Sequence, residues 1–267
     1  MAPPILKGVG PATTELGLRV PSLSPEELRR YDRQMRVEGF GREGQEKLKK
    51  ARVAIVGLGG LGCPSSTYLA AAGVGFLKLV DKGVVDLSDL NRQFLYSQED
   101  LGLPKVEVAA RRLRALNPHV EVEPIKVELD KEGLLDLFKD VDLVVDGLDN
   151  WRTRFLVNKA CVELRIPFIH AGVRGFYGQL TTILPGEGPC LRCILRAHPP
   201  EEEVIPVLGP TPAVLGALQA LEAIKLITGL GRPLIGRLLV FDGLEMRLEE
   251  IHVSRDKKCP VCGHLEG

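Results

Sequence analysis

Val53-Ala54-Ile55-Val56-Gly57-Leu58-Gly59-Gly60-Leu61-Gly62 is the stretch that decides the fold. Four apolar residues with a strand pattern run into a glycine-rich turn, helical residues follow, and a second apolar strand over 76–80 ends at Asp81. In such a strand–turn–helix–strand unit each glycine has a task. Gly57 makes the tight turn, Gly59 and Gly60 let the backbone approach a nucleotide, Gly62 lets the helix pack on the strand, and Asp81 is placed to hold a ribose hydroxyl. Alone, such a loop reads as a dinucleotide dehydrogenase. The residues downstream change that reading: Ser88-Asp89-Leu90-Asn91-Arg92-Gln93, then Lys105, then Asp149-Asn150, then two Cys-x-x-Cys pairs. This ordered series points to ATP chemistry, since hydride transfer explains neither the cations nor the paired cysteines.

The chain has 267 residues, 45% of them apolar, which suffices for one large α/β core or one core with a small appendage. Its 35 acidic and 35 basic residues cancel. No overall field therefore draws nucleic acid or an anionic membrane, and binding has to come from local sites. No apolar run approaches the roughly 18 residues of a spanning helix, and residues 1–20 lack the apolar stretch of a signal peptide. A cytoplasmic protein without a membrane partner is the expectation. Six cysteines in a reducing compartment read as metal ligands, nucleophiles or core thiols in preference to disulfides.

Residues 1–23 carry Pro, Gly and Thr without periodicity and read as a flexible N-terminal arm ahead of a single domain over 24–267. Ser24-Pro25-Glu26-Glu27 has the signature of a helix start: a serine N-cap, a proline at the first helical position and a glutamate three residues on. The helix should run through Arg30-Tyr31-Asp32-Arg33-Gln34. Beyond the glycine loop, periodicity predicts helices over 61–72 and 104–116, strands near 120–126 and 142–146 with a short helix between them, a helix over 152–164 and a strand over 167–170. Such alternation gathers the C-terminal ends of parallel strands on one rim, where ligands bind. The pattern then changes. Residues 177–184 alternate like a strand with one exposed face, 213–228 have helical periodicity, and 237–242 with 245–253 read as a hairpin around Gly243. The expected fold is a Rossmann-like α/β sheet whose parallel nucleotide-binding half continues into an antiparallel half, a second face or partner surface.

Cys190-Leu191-Arg192-Cys193 and Cys259-Pro260-Val261-Cys262 each aim two sulfurs at one point, and four thiolates make a closed tetrahedral zinc site. The long gap between the pairs means that such a site pins the chain terminus to the crossover region and does not nucleate a small finger. A redox dithiol or unconnected thiols are the competing readings. Four sulfur ligands leave no open position, so this metal is structural. No Walker-type Gly-x-x-x-x-Gly-Lys-Ser/Thr run occurs, hence phosphates need other cations. Arg92 and Lys105 follow Asp81 closely enough to line the same rim, and Lys105 falls in the first turn of a helix whose dipole also favours an anion. Most Lys and Arg are, however, solvated surface charges. Asp149 reads as the end of the fourth core strand, a place for a carboxylate that holds magnesium between phosphates, or else as the N-cap of the helix that follows.

Taken together, Arg30-Tyr31-Asp32-Arg33-Gln34, Gly57 to Gly62, Asp81, Asn91-Arg92-Gln93, Gly102-Leu103-Pro104-Lys105-Val106, Asp149-Asn150 and the four cysteines strongly resemble the family that adenylates ubiquitin-like proteins. That family includes ThiF, MoeB, HesA and the ubiquitin-activating enzymes. The likeness covers 24–266 and leans to the MoeB/ThiF branch. It implies that Gly60 and Asp81 contact ATP, that Arg92 and Lys105 hold its phosphates and that Asp149 serves magnesium. The wider nucleotide site is expected to draw on Gly57, Gly59, Gly62, Ser88, Asp89, Asn91 and Asn150. The resemblance further implies a homodimer, in which Arg33 reaches the phosphates of the other subunit, and a substrate that is a ubiquitin-like sulfur-carrier protein ending in Gly-Gly. Once that partner is granted, the reaction follows. A C-terminal carboxylate with a pKa of roughly 3.5 is ionised at neutral pH and needs no general base before it attacks the α-phosphorus. The enzyme has to bring two anions together and stabilise departing pyrophosphate, work that suits Arg33, Arg92, Lys105 and Asp149.

Two departures from the family pattern matter. Members that form a thioester or disulfide carry a cysteine in the loop after the first zinc pair, and residues 194–215 contain none. The remaining thiols, Cys63 and Cys161, fall inside predicted helices, where a free cysteine is usually a small buried hydrophobe. The expectation is an enzyme that stops at the acyl-adenylate and leaves a separate persulfide donor to make the thiocarboxylate. Asp89 stands where the family often has Asn, and a carboxylate there either weakens ATP binding or helps hold metal. The loop 194–208, with Glu201-Glu202-Glu203, reads as a flexible crossover near the incoming tail or as a solvated acidic loop. Two other functions compete: the same site acting on another carboxylate or a modified tRNA base, against which the neutral charge and the lack of a basic aromatic stripe count, and a non-catalytic dimerisation partner, which intact Arg92, Lys105 and Asp149 disfavour. Thiamin, molybdopterin and tRNA-thiolation pathways all use such carriers, and no compact motif names one.

Overall fold

Ser24 caps the first helix as its neighbours demand: its hydroxyl accepts from the Glu27 N–H (3.2 Å) while Glu27 Oε2 accepts from the Ser24 N–H (2.8 Å). This computed structural model describes residues 23–130 and 133–265. The arm expected over 1–23 thus lies outside the described residues except for Leu23, which is buried against the body. The capped helix is α1 (Pro25–Arg30), and the expected continuation to Gln34 breaks at Tyr31 before α2 (Asp32–Met35). The break has a tertiary cause. Tyr31 is buried and its hydroxyl accepts from Asn117 Nδ2 (2.8 Å), while Gln34 donates to the Ala72 carbonyl (2.8 Å). α3 (Gly41–Lys50), which periodicity did not indicate, buries Gly44, Gln45 and Leu48. Its stripe holds one large apolar residue, too little for a 3.6-residue pattern to register.

The sheet is built from β1 (Arg52–Val56), α4 (Gly62–Ala72), β2 (Phe76–Asp81), α5 (Lys105–Leu116), β3 (Glu121–Lys126), α6 (Leu134–Phe138), β4 (Leu143–Asp146), α7 (Trp151–Leu164) and β5 (Phe168–Arg174). It continues through β6 (Tyr177–Ile183), α8 (Leu191–Ile194), α9 (Pro210–Thr228), β7 (Arg237–Asp242) and β8 (Arg247–His252). Strand order is β3-β2-β1-β4-β5-β6-β7-β8. The first five are parallel to one another, and β6, β7 and β8 each pair antiparallel with the strand before them. The expected change from a parallel to an antiparallel half is therefore present. Alternate residues of β1 feed opposite faces, Val53 and Ile55 into the core under α4, α5 and α9, Ala54 and Val56 into the core under α7, as a period of two requires.

Two strand readings change. β6 is not half exposed: Thr181 and Thr182 are buried, donating to the Arg237 carbonyl (2.9 Å) and to Glu222 Oε2 (2.5 Å). Hydroxyls with buried partners imitate the polar half of an alternating pattern. The fourth strand ends at Asp146, not Asp149. Asp146 is fully buried and Asp149 lies three residues on, exposed in the loop to α7.

Candidate active site

β1 sends its chain to one side of the sheet and β4 to the other, so the loops after them part and leave a crevice at the strand C-termini. Gly57 turns at φ +89°, and a Cβ there would stand 2.6 Å from the Gly147 backbone; a Cβ on Gly62 would stand 2.0 Å from the Gly57 carbonyl oxygen. Only glycine lets the two loops and the helix start close in this way. The crevice is a cavity of about 600 Å³, within the range of about 300–1,000 Å³ common for small-molecule sites.

Gly57, Gly59, Gly60 and Asp81 line one wall. Asp81 also braces the glycine loop, accepting from the Leu58 N–H (2.7 Å) and the Gly83 N–H (2.6 Å). Ser88, Asp89, Arg92 and Lys105 line the same cavity, as do Asp149 and Asn150. Arg92 and Lys105 are thus brought together, and Asp89 is what joins them. Its Oδ2 lies 2.9 Å from Lys105 Nζ and its Oδ1 accepts from Gln93 Nε2 (2.6 Å) and, more distantly, from Arg92 Nη2 (3.5 Å). The Asp89 carboxylate is buried and serves the protein's own cations.

Asn91, expected to touch the nucleotide, does not line the cavity; it is exposed and accepts from Arg92 Nη1 (2.9 Å), which steadies the guanidinium. Gly62 lies behind the loop and serves packing. Asn150, not Asp149, is the N-cap of α7: its Oδ1 accepts from the Thr153 N–H (2.9 Å). That removes the capping role considered for Asp149 and commits the Asn150 oxygen to the helix. Arg33 is exposed on α2 and does not line this chain's cavity.

A second cavity of about 300 Å³ adjoins the first, sharing Asp149, Arg154, Val173, Glu202 and Ile205 with it. Trp151, Tyr177, Leu195 and Val240 contribute its apolar wall. The acidic loop crosses here, and it is neither free nor merely solvated. Glu201 accepts from the Trp151 N–H (3.1 Å) and the Arg152 N–H (2.7 Å) at the start of α7, and Glu202 pairs with Arg174 (3.1 Å). A carboxylate at a helix N-terminus satisfies orphan donors and the positive end of the dipole together. Glu201→Ala should release this loop: the Trp151 and Arg152 amides are expected to exchange hydrogen about tenfold faster or more by mass spectrometry, with amides elsewhere unchanged.

The four paired cysteines are buried, with all their sulfurs within 4.8 Å of one another. Contacts of 3.7 Å for Cys190–Cys259, 4.0 Å for Cys190–Cys193 and 3.4 Å for Cys193–Cys262 surround the spacing of about 3.8 Å that sulfurs about 2.3 Å from a tetrahedral centre would have. The donor set fits a thiophilic ion. Burial pushes the Cys193 thiol up to about 11, and a cation at the centre is what would stabilise four thiolates there. Cys63 and Cys161 are buried as expected, the first raised to about 12 by burial and the second raised too; neither is an accessible nucleophile.

A model of the ThiF family matches residues 31–261. The chain belongs to the ThiF family. It is 47% identical over 248 residues to the sulfur carrier protein adenylyltransferase of Thermus thermophilus, covering 89% of this chain and 92% of that one. It is 43% identical over 248 residues to the SAMP-activating enzyme E1 of Haloferax volcanii, covering 91% of each. Among solved structures, that of E. coli MccB with ATP matches with a TM-score of 0.79 at 28% identity, covering 88% of this chain and 74% of that one.

Four polar residues of this ThiF-family site escaped the sequence reading. Asp146, Arg154, His170 and Gln179 form a chain of contacts under the wall common to both cavities. Their local signals were those of core structure: Asp146 and His170 sit in apolar strands and Arg154 in a helix with buried neighbours.

Proposed function

We propose that this protein uses ATP to adenylate the C-terminal glycine of a ubiquitin-like sulfur-carrier protein, giving an acyl-adenylate and pyrophosphate. The observation that carries the reading is the meeting of the two cavities at Asp149 and Arg154, one with phosphate-binding cations and the other a narrower apolar groove suited to an extended tail ending in Gly-Gly. The names of the relatives, a sulfur carrier protein adenylyltransferase and a SAMP-activating enzyme, support it.

The carboxylate oxygen of the tail forms a bond to the α-phosphorus as the bond from that phosphorus to the bridging oxygen breaks, and pyrophosphate leaves with the electron pair. No proton has to move. Arg92 and Lys105 hold the phosphates, and Asp89, paired with both, keeps the two cations in place until the nucleotide arrives. The glycine loop supplies close backbone approach, and Asp81 the ribose contact. Asp149, an exposed hard-oxygen ligand lining the same cavity as those cations, fits a magnesium ion. When bound, that ion neutralises charge on the phosphates. Arg33 completes the partner's site in a homodimer. Cys190, Cys193, Cys259 and Cys262 hold a structural zinc ion that ties the chain terminus to α8. With Cys63 and Cys161 buried, the enzyme ends at the acyl-adenylate in the cytoplasm, and a separate persulfide donor supplies sulfur.

The test is ATP–pyrophosphate exchange by the purified protein with magnesium, adding carriers that end in Gly-Gly one at a time. Exchange that requires a carrier is the expected result; exchange with none, despite ATP binding, would shift the acceptor to another carboxylate or a modified tRNA base. Metal analysis should find one zinc per chain, and a chelator that strips it should lower the melting temperature. A metal-free protein of unchanged stability would rule out the zinc assignment.

A further inference from the structure

Arg154 lies on the wall that the two cavities share, with a side chain 5% exposed. Most of its donors are already used. Nε is ion-paired with Asp146, 3.1 Å from Oδ2, and donates to its Oδ1 (3.5 Å), and Nη2 donates to the Ala171 carbonyl (3.0 Å) and to the Leu148 carbonyl. The guanidinium carbon stands 4.9 Å from the centre of the Trp151 ring. Nη1 is the exception: it has no hydrogen-bond partner among the described residues, and it borders Gly172, where an added Cβ would lie 3.6 Å away. Gly172 and Arg154 both line the smaller cavity.

Resting on the adenylation reading above, we propose that Arg154 Nη1 receives the carboxylate of the incoming tail and orients it toward the α-phosphorus, with Asp146, His170 and Gln179 as positioning residues behind it. The charges support an orienting role. Asp146 is fully buried and balances the guanidinium, so the site offers directed N–H donors without a surplus positive charge that would hold a nucleophilic carboxylate in its ground state. Asp146 is itself set by three donors: the Leu148 N–H (2.9 Å), Arg154 and His170 Nδ1 (2.6 Å). His170 is fully buried, and burial lowers its pKa below the usual imidazole value; the neutral ring suits both its neighbours, with Nδ1–H donating to Asp146 and Nε2 accepting from Gln179 Nε2 (3.0 Å). Gln179 reaches the smaller cavity too. The tail thus meets a guanidinium edge whose plane is determined by contacts from β4, β5 and β6. The phosphate cations Arg92 and Lys105 line the larger cavity with Asp89 and do not line the smaller one, so the two anions are assigned separate donors and meet where the cavities join.

The test is a thermodynamic cycle on the full-length protein. One arm replaces Arg154 by Lys, which keeps a cation beside Asp146 but removes the free N–H edge; the other replaces the terminal carboxylate of a carrier by a carboxamide. Arg154→Lys should weaken binding of the native carrier about 10- to 100-fold, the range for a charge-assisted hydrogen bond, and leave that of the carboxamide carrier unchanged. In exchange assays the KM for carrier should rise while that for ATP stays within about twofold. Additive effects in the cycle, or equal changes in both KM values, would overturn the assignment. Should Arg154→Lys not fold, Gly172→Ala serves, since its Cβ meets Nη1 and Gln179 at ordinary contact distances of 3.5–3.6 Å. It should abolish the same coupling, and intact coupling would count against the proposal. Wild-type protein that gives no exchange with any carrier would remove the adenylation reading and this assignment together; wild-type exchange with an additive cycle removes this assignment alone.

Discussion

Asp149→Ala should reduce carrier-dependent pyrophosphate exchange by at least about 10²–10³-fold, the size of effect found when one preorganised charge-stabilising group is removed. The melting temperature should not move. Asp149 is exposed and accepts a long hydrogen bond from Asn150 Nδ2 (3.3 Å), and the cap of α7 belongs to Asn150, which the substitution leaves intact. ATP binding measured without magnesium should be close to wild type, because Arg92 and Lys105 are untouched. With magnesium the two proteins should diverge. Normal exchange by the variant would take the metal away from Asp149 and leave the rim without a function.

The second large effect is on stability. Asp146→Ala leaves the Arg154 guanidinium buried without its counter-charge and also deprives the Leu148 N–H and His170 Nδ1 of their acceptor. Removing one partner from a buried ion pair destabilises by about 3–5 kcal/mol. For a chain of this size that is a fall in melting temperature of roughly 6–20 °C. Replacing both members by apolar residues, Asp146→Leu with Arg154→Met, should recover part of that loss, because no unpaired charge remains. It should not recover exchange. A single variant as stable as wild type, measured by urea denaturation, would mean that water or a side-chain shift compensates the guanidinium and that the network is not the rigid support argued above.

Much of the fold was legible because its signals are local. The Ser24 cap, the glycine turn, the helix starting near Lys105 and the hairpin of β7 and β8 each depend on residues a few positions apart. The misreadings share a cause. Tyr31 breaks a helix, Thr181 and Thr182 imitate an exposed face, and Gln45 hides a short amphipathic helix, each through a partner distant in sequence: Asn117, the Arg237 carbonyl and Glu222, and the Ala72 carbonyl. Gly57, Gly60, Asp81, Arg92 and Lys105, singled out by residue type and order because nucleotide phosphates demand glycine and cations, line one cavity. Asn91 and Asn150 were assigned to the ligand from the same order, and the structure gives their side chains to Arg92 and to the α7 cap.

The sequence by itself determined most of the elements, the order of the residues that line the larger cavity and the pairing of cysteines into two turns, because each is written within a turn or a strand. Only the tertiary structure decided that Asp89 bridges Arg92 and Lys105, that Glu201 fastens the acidic loop to α7, and that Asp146, Arg154, His170 and Gln179 stand behind one guanidinium edge. Those contacts join residues 16 apart for Asp89–Lys105, 24 for Asp146–His170 and 49 for Arg152–Glu201. What brings them together is the placement of β4 beside β1 and the antiparallel return of β6. Strand order follows from how whole faces are buried, so no local run of residues carries it.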